Sequence, residues 1–133
     1  MGWRFLNFHS IQLFINYMES NMTVITYAEF ERVNLRSGTI VKVEEFPQAK
    51  KPAFKIWADF GQEIGVLQTS AQVTVLYTPE TLVGRQIVGC VNLGDKNIAG
   101  FVSQFLLVGF SNESGAICLI TVDPKVPNGQ KMH

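Results

Sequence analysis

The chain has 133 residues, enough for one core but not two, and 47% of them are apolar against 17% charged. That balance excludes a disordered chain and points to one well-filled domain. Eleven basic residues offset eleven acidic ones, which excludes attachment to nucleic acid through bulk charge and leaves that role to a local patch.

Residues 1–21, MGWRFLNFHSIQLFINYMESN, differ in composition from the rest of the chain. Asn7, His9, Gln12 and Asn16 interrupt the apolar side chains well short of the ~20 that a membrane span needs. A signal peptide would carry an unbroken apolar stretch and a small-residue cleavage site, and this segment has neither. Ile11, Phe14, Ile15 and Met18 follow helical spacing, so one reading is an amphipathic helix that packs on the domain or on a partner. The other is that translation begins at Met22 and residues 1–21 are an untranslated extension. Both stay open, with the domain proper at 22–133.

Tyr27, Phe30 and Val33 are three apart and predict a short helix, with Thr26 as its N-cap and Glu29 completing a capping box. In RSGTIVKVEEFP, Thr39, Val41 and Val43 alternate with Ile40, Lys42 and Glu44, a strand that Pro47 ends. A second strand, AFKIWADFG, puts Phe54, Ile56, Ala58 and Phe60 on one face and Lys55, Trp57 and Asp59 on the other. A third, IGVLQTSAQV, follows after two residues. In TPETLVG, Thr78 caps a short helix, Pro79 suits its first position and Gly84 closes it. RQIVGCVNL, FVSQFLLVGF and AICLITV read as three more strands, with a hairpin turn at Asn-Glu-Ser-Gly and an Asn-Gly turn in VPNGQKMH.

A short helix between strands three and four of a small all-β chain is the plan of a five-stranded OB-fold barrel. The expected architecture is that barrel with an N-terminal helix and a C-terminal extension.

The chemistry-bearing residues are sparse. Cys90 and Cys118 lie in apolar runs and read as buried, free thiols in a reducing compartment. No C-x-x-C or Cys/His cluster supports a metal site, and His9 and His133 sit near opposite ends of the chain. Glu44 and Glu45 are adjacent in a strand and point to opposite faces, so they cannot act as a pair. No catalytic constellation is evident, and catalysis is not expected.

The stretch TSAQVTVLYTPETLVGRQIVGCVNLGDKNIAGFVSQFLLVG resembles the tRNA-binding OB domain that occurs alone or fused to methionyl- and phenylalanyl-tRNA synthetases. FERVNLRSGTIVKVEEFPQAKKPAFKIWADFG and the closing VPNG resemble the CsaA-like branch, described as export-related chaperones or tRNA-binding proteins. The likeness runs from about residue 26 to residue 130. It implies a cytoplasmic homodimer with no cofactor and no membrane insertion, whose partners are tRNA and unfolded or preprotein polypeptides. Family dimers use the N-terminal helix and the segments after the barrel. Here those are Tyr27, Phe30 and Val33, with Ile117, Leu119, Ile120 and Val122.

Three stretches carry the RNA expectation. Lys50, Lys51 and Lys55 surround Pro52; they either contact phosphates, with Trp57 as a stacking platform, or decorate a solvated loop while Lys55 pairs with Asp59 and Trp57 packs under a neighbouring segment. Thr69, Ser70 and Gln72 either read RNA groups or close the end of a strand. Leu67 and Gln68 stand where relatives commonly carry basic residues. In VNLGDKNIAGFVSQ, Lys96 is expected on a glycine-flanked loop, and the resemblance places Asn92, Lys96, Ser103 and Gln104 at the RNA site. The alternative has Asn92 and Gln104 satisfying backbone groups at the barrel end.

Overall fold

The computed structural model describes residues 7–21 and 23–133. Met22, where one reading starts the domain, lies outside them. The chain forms two units, Met1–Arg32 and Val33–His133.

In the first unit, α1 (Phe8–Asn21) is the helix that the Ile11/Phe14/Ile15/Met18 spacing predicts. Asn7 caps it by accepting from the Ser10 amide at 2.7 Å. Helix α2 (Tyr27–Glu31) carries the expected capping box: Thr26 accepts from the Glu29 amide and Glu29 accepts from the Thr26 amide, both at 3.1 Å.

The second unit is the barrel. Its strands are β1 (Leu35–Glu45), β2 (Phe54–Asp59) and β3 (Val66–Ala71), then β4 (Gln86–Cys90). A helical turn, α3 (Gly61–Ile64), lies between β2 and β3, and α4 (Pro79–Leu82) precedes β4. The remaining strands are short: β5 (Lys96–Ile98), β6 (Phe101–Ser103), β7 (Leu106–Leu107), β8 (Gly109–Ser111) and β9 (Ile117–Leu119). The main sheet is antiparallel, ordered β3-β2-β1-β4-β7. Long β1 serves both halves, pairing β4 through Leu35–Thr39 and β2 through Thr39–Glu45. The result is a nearly closed OB-like barrel.

The alternation in β2 is as expected: Phe54, Ile56 and Ala58 are buried while Lys55, Trp57 and Asp59 are half-exposed. They join Ile40, Phe60, Ile87, Leu82 and Phe105 in the core. Phe60 and Phe105 meet edge to face at 4.9 Å. A Cβ on Gly38 or Gly89 would come within 2.8 or 2.7 Å of the Phe60 ring, so glycine is what lets that ring lie against β1 and β4. Thr78 caps α4 with Pro79 in its first turn, as predicted.

Three expectations need correction. Val41 does not share a face with Val43: the β1–β2 register shifts between Ile40 and Lys42, leaving Val41 exposed and turning Val43 toward the core. FVSQFLLVGF is three strands rather than one, because Gln104 and Phe105, and then Val108, leave the ladders. Lys96 is not in a loop; it opens β5, which pairs with β6 as a two-stranded ribbon.

The barrel closes between β3 and the β6–β7 segment through side chains as much as backbone. The Gln104 amide donates to the Gln68 carbonyl at 2.8 Å, and the Gln104 side chain accepts from the Gln68 amide at 3.1 Å. Gln68 Nε2 donates to the Val102 carbonyl, and Ser103 Oγ accepts from the Ser70 amide. Buried Thr69 donates its hydroxyl to the Phe105 carbonyl at 2.6 Å.

The segment after β9 straps the other side. Ser37 Oγ donates to the Pro127 carbonyl and accepts from the Gln130 amide. Gln86 donates to the Val126 carbonyl and accepts from its amide. Thr39 donates to Asn128 Oδ1. Ser37, Thr69 and Gln86 are the buried polar side chains of the described core, and each is satisfied by the seam or the strap.

Candidate nucleic-acid interface

The outer face of β1–β2–β3 and the β5–β6 ribbon bring together Lys55, Trp57, Lys96, Ser103 and Gln104 of the residues expected at an RNA site. Cross-strand register sets Glu44 opposite Lys55 and Lys55 opposite Ser70. Ser103 binds the Ser70 amide, and Lys96 is the ribbon partner of Ser103. Lys55, Ser70, Ser103 and Lys96 therefore lie on one line across the sheet and onto the ribbon. A parallel line runs Lys42, Trp57, Gln68.

Aromatic rings accompany these lines. Phe101 of the ribbon meets Phe46 and Trp57, each at 5.7 Å and edge-on. Lys55 Nζ lies 4.9 Å from the Phe46 ring centre and 5.2 Å from that of Phe101. Lys42 Nζ lies 4.7 Å from the Trp57 ring centre and pairs with Glu44 at 3.3 Å. Cations and half-buried rings adjoin on this face, with Phe46 buried beneath them, a combination that suits phosphates and unstacked bases. Lys55 does not pair with Asp59, whose carboxylate instead accepts from the Gly61 amide. Among the described residues, Lys50, Lys51, Lys55 and Lys96 have no carboxylate at ion-pairing distance.

Lys50 and Lys51 stand exposed in the loop between β1 and β2. Lys50 lines a cleft of about 560 Å³ with Phe46, Pro52, Thr74 and Tyr77. Trp57 is half-buried against Phe101, with its indole N–H donated to Gln68 Oε1 at 3.2 Å. It is thus held under a neighbouring segment as one reading expected, with Lys42 over the ring. Ser103 and Gln104 lie at the site but act in the barrel seam. Asn92 lies apart from the lysine lines: its Oδ1 accepts from the Asn34 amide at 3.0 Å, just before the opposite end of β1. Gln72 is exposed beyond β3.

Sequence reasoning missed Lys42, Phe101 and the two-sided role of Gln68. No local pattern marks Lys42, Phe101 or Gln68: Val41-Lys42-Val43-Glu44 alternates regularly, and only its pairing with β2 shows which side Lys42 takes.

For the expected dimer residues, Tyr27 and Phe30 lie on α2 with ring centres 6.2 Å apart, and Tyr27 is 66% exposed. In the second unit Val33 is exposed, while Ile117 and Leu119 pack partly against the core. Ile120 and Val122 line a groove of about 500 Å³ with Val88, Val126 and Met132. Cys90 is buried, Cys118 half-buried, and both are free thiols. Among the described residues, no group of three or more His, Cys, Asp and Glu is placed to hold a metal ion, and no helix is long and apolar enough to cross a membrane.

Residues 35–131 match the family described as "Putative tRNA binding domain". The structure is similar to the chaperone CsaA of Bacillus anthracis, with 40% identity and a TM-score of 0.78 over 84% of this chain and 100% of that one. It is likewise similar to the CsaA chaperone of Picrophilus torridus, with 36% identity and a TM-score of 0.77 over 83% and 100%. In sequence it is 30% identical over 112 residues to the methionine–tRNA ligase of Methanocaldococcus jannaschii, covering 84% of this chain but only 17% of that enzyme. Family match and structural likeness agree on one assignment: the chain belongs to the tRNA-binding domain family and has a CsaA-type fold.

Proposed function

We propose that this protein is a non-catalytic, cytoplasmic homodimer that binds tRNA through the outer face of β1–β2–β3 and the β5–β6 ribbon. The observation that carries the reading is that Lys42 and Lys55 lie against the half-buried Trp57 and Phe101 rings on that face, backed by buried Phe46. Lys50, Lys51 and Lys96 extend the positive charge to both sides of it. In a chain of zero net charge this patch is what offers phosphates a reason to dock. Ser103 and Gln104 hold the ribbon in place, and Asn92 fixes the start of β1. Dimerisation would use α2 and the segments after the barrel, where each large apolar side chain covered adds about 1.5–3 kcal/mol.

The reading extends to chaperone-like capture of unfolded or export-bound polypeptides. The groove beside the expected dimer seam supports it: Val88, Val126 and Met132 offer apolar surface to an extended hydrophobic segment, with Arg36, Asp123 and Lys131 among the other lining residues. The alternative is peptide capture alone. Fluorescence anisotropy of labelled bulk tRNA at low and moderate salt separates the two. The expected result is binding that weakens steeply with salt and is abolished by joint charge reversal of Lys55 and Lys96, with the oligomeric state unchanged. Absence of binding at low salt leaves peptide capture; affinity untouched by the double reversal refutes the site.

A further inference from the structure

Strand geometry singles out a residue that the sequence pattern does not. Ile40 pairs with Ala58 and Lys42 pairs with Trp57, so Val41 is an extra residue in β1 with no partner in β2. Regular alternation would turn Lys42 to the same side as buried Ile40. The bulge instead carries Lys42 and Glu44 to the outer face and sends Val43 inward. It leaves Val41 47% exposed; what it achieves is both the inward packing of Val43 and the outward aim of Lys42.

Lys42 is aimed at Trp57, and the two are held very differently. The indole is fixed by the hydrogen bond to Gln68 and by the Phe101 edge. Lys42 has a side chain 58% exposed and is retained only by Glu44 and the ring face. Exposed ion pairs and exposed cation–π contacts are weak, whereas a base stacked on an aromatic ring gains more. A rigid platform with a weakly held cation on top of it is a site prepared for exchange. Lys55, across from Glu44, is half-buried against the Phe46 and Phe101 rings, so the exposed Lys42 is the cation better placed to exchange its partners.

We propose that Lys42 and Trp57 form one nucleotide-binding step that takes an unpaired nucleotide of the bound RNA. The base takes the Trp57 ring face that Lys42 covers, and the ammonium leaves Glu44 for the adjoining phosphate. Glu44 is the competitor that restrains binding. This assignment rests on the RNA reading of the face.

The test uses the full chain carrying Trp3→Phe, so that Trp57 is its one tryptophan, titrated with bulk tRNA and with a single-stranded oligouridylate. Both RNAs should quench Trp57 emission. Lys42→Gln should weaken binding about threefold at low salt and flatten the slope of log affinity against log salt by about 0.7–0.9, the share of one phosphate. Lys42→Arg should restore both, and Glu44→Gln should strengthen binding by a similar factor. Matched melting temperatures show that the variants are folded. Unchanged affinity and slope in Lys42→Gln, while the Lys55/Lys96 reversal abolishes binding, would overturn this step and leave the wider reading intact. Binding without quenching would overturn the stacking. If the unmodified protein binds neither RNA, the wider reading fails and this step with it.

Discussion

Replacing Thr69 by valine isolates the seam that closes the barrel. Threonine and valine have nearly the same shape, so the change removes a hydroxyl and creates no cavity. The lost bond is short, 2.6 Å, and lies between a side chain 2% exposed and the backbone of a residue 4% exposed. Water cannot readily replace it, and the Phe105 carbonyl forfeits this donor. Leaving a buried group without its partner costs about 1–3 kcal/mol. For a chain of this size that lowers the melting temperature by roughly 5–10 °C. Urea unfolding at one fixed protein concentration, monitored by circular dichroism, reads the loss as a lower midpoint with an unchanged slope. Gln104→Ala should cost about 0.5–1.5 kcal/mol, since its bond to the Gln68 amide is only half-buried. Folded Gln104→Ala should bind tRNA within twofold or so of the parent, because a group already used in the seam adds little to a ligand. A Thr69→Val midpoint equal to the parent's would refute the seam as a source of stability. A large affinity loss in Gln104→Ala at unchanged stability would return that residue to the RNA site.

Other perturbations probe neighbouring parts. Gly89→Ala places a methyl 2.7 Å from Phe60 and 2.9 Å from Phe105; overpacking should cost about 1–3 kcal/mol, read by thermal denaturation. Gln86→Leu removes both bonds to Val126, and should cost about 2–4 kcal/mol while amides of residues 126–132 lose protection from hydrogen exchange. Phe101→Ala deletes the ring shared by Phe46 and Trp57. It should cost about 1–3 kcal/mol, speed exchange in residues 96–103 and weaken tRNA binding.

What could be read from the chain came from local rules. The Phe54/Ile56/Ala58/Phe60 alternation, the Thr26–Glu29 capping box and the Thr78-Pro79 start of α4 each depend on residues a few positions apart, and all three hold. The bulge at Val41 was not legible, because Val-Lys-Val-Glu fits either phase and only the partner strand decides between them. FVSQFLLVGF looked continuous because its breaks arise from distant partners. Gln104 leaves the ladder to bind Gln68, and Thr69 reaches Phe105, each 36 residues away in sequence. The lysines of the candidate site were visible as residue types, but their alignment was not. It depends on two strand registers and on the ribbon that Lys96 opens.

The strap has a consequence for the order in which the chain can complete itself. Ser37 and Arg36 in the first strand receive hydrogen-bond partners from Gln130 and Gly129, 93 residues later. Gln86 waits for Val126, 40 residues on. During synthesis, β1 and β4 can pair while the strap is still inside the ribosome, but the buried side chains between them then face water or nothing. Contacts of such long range form late, after most of the loop-closure entropy has been lost. A nascent barrel is therefore a half-sealed species with Ser37 and Gln86 still lacking their strap partners, and the emergence of residues 126–131 acts as the clasp that ends its exposure.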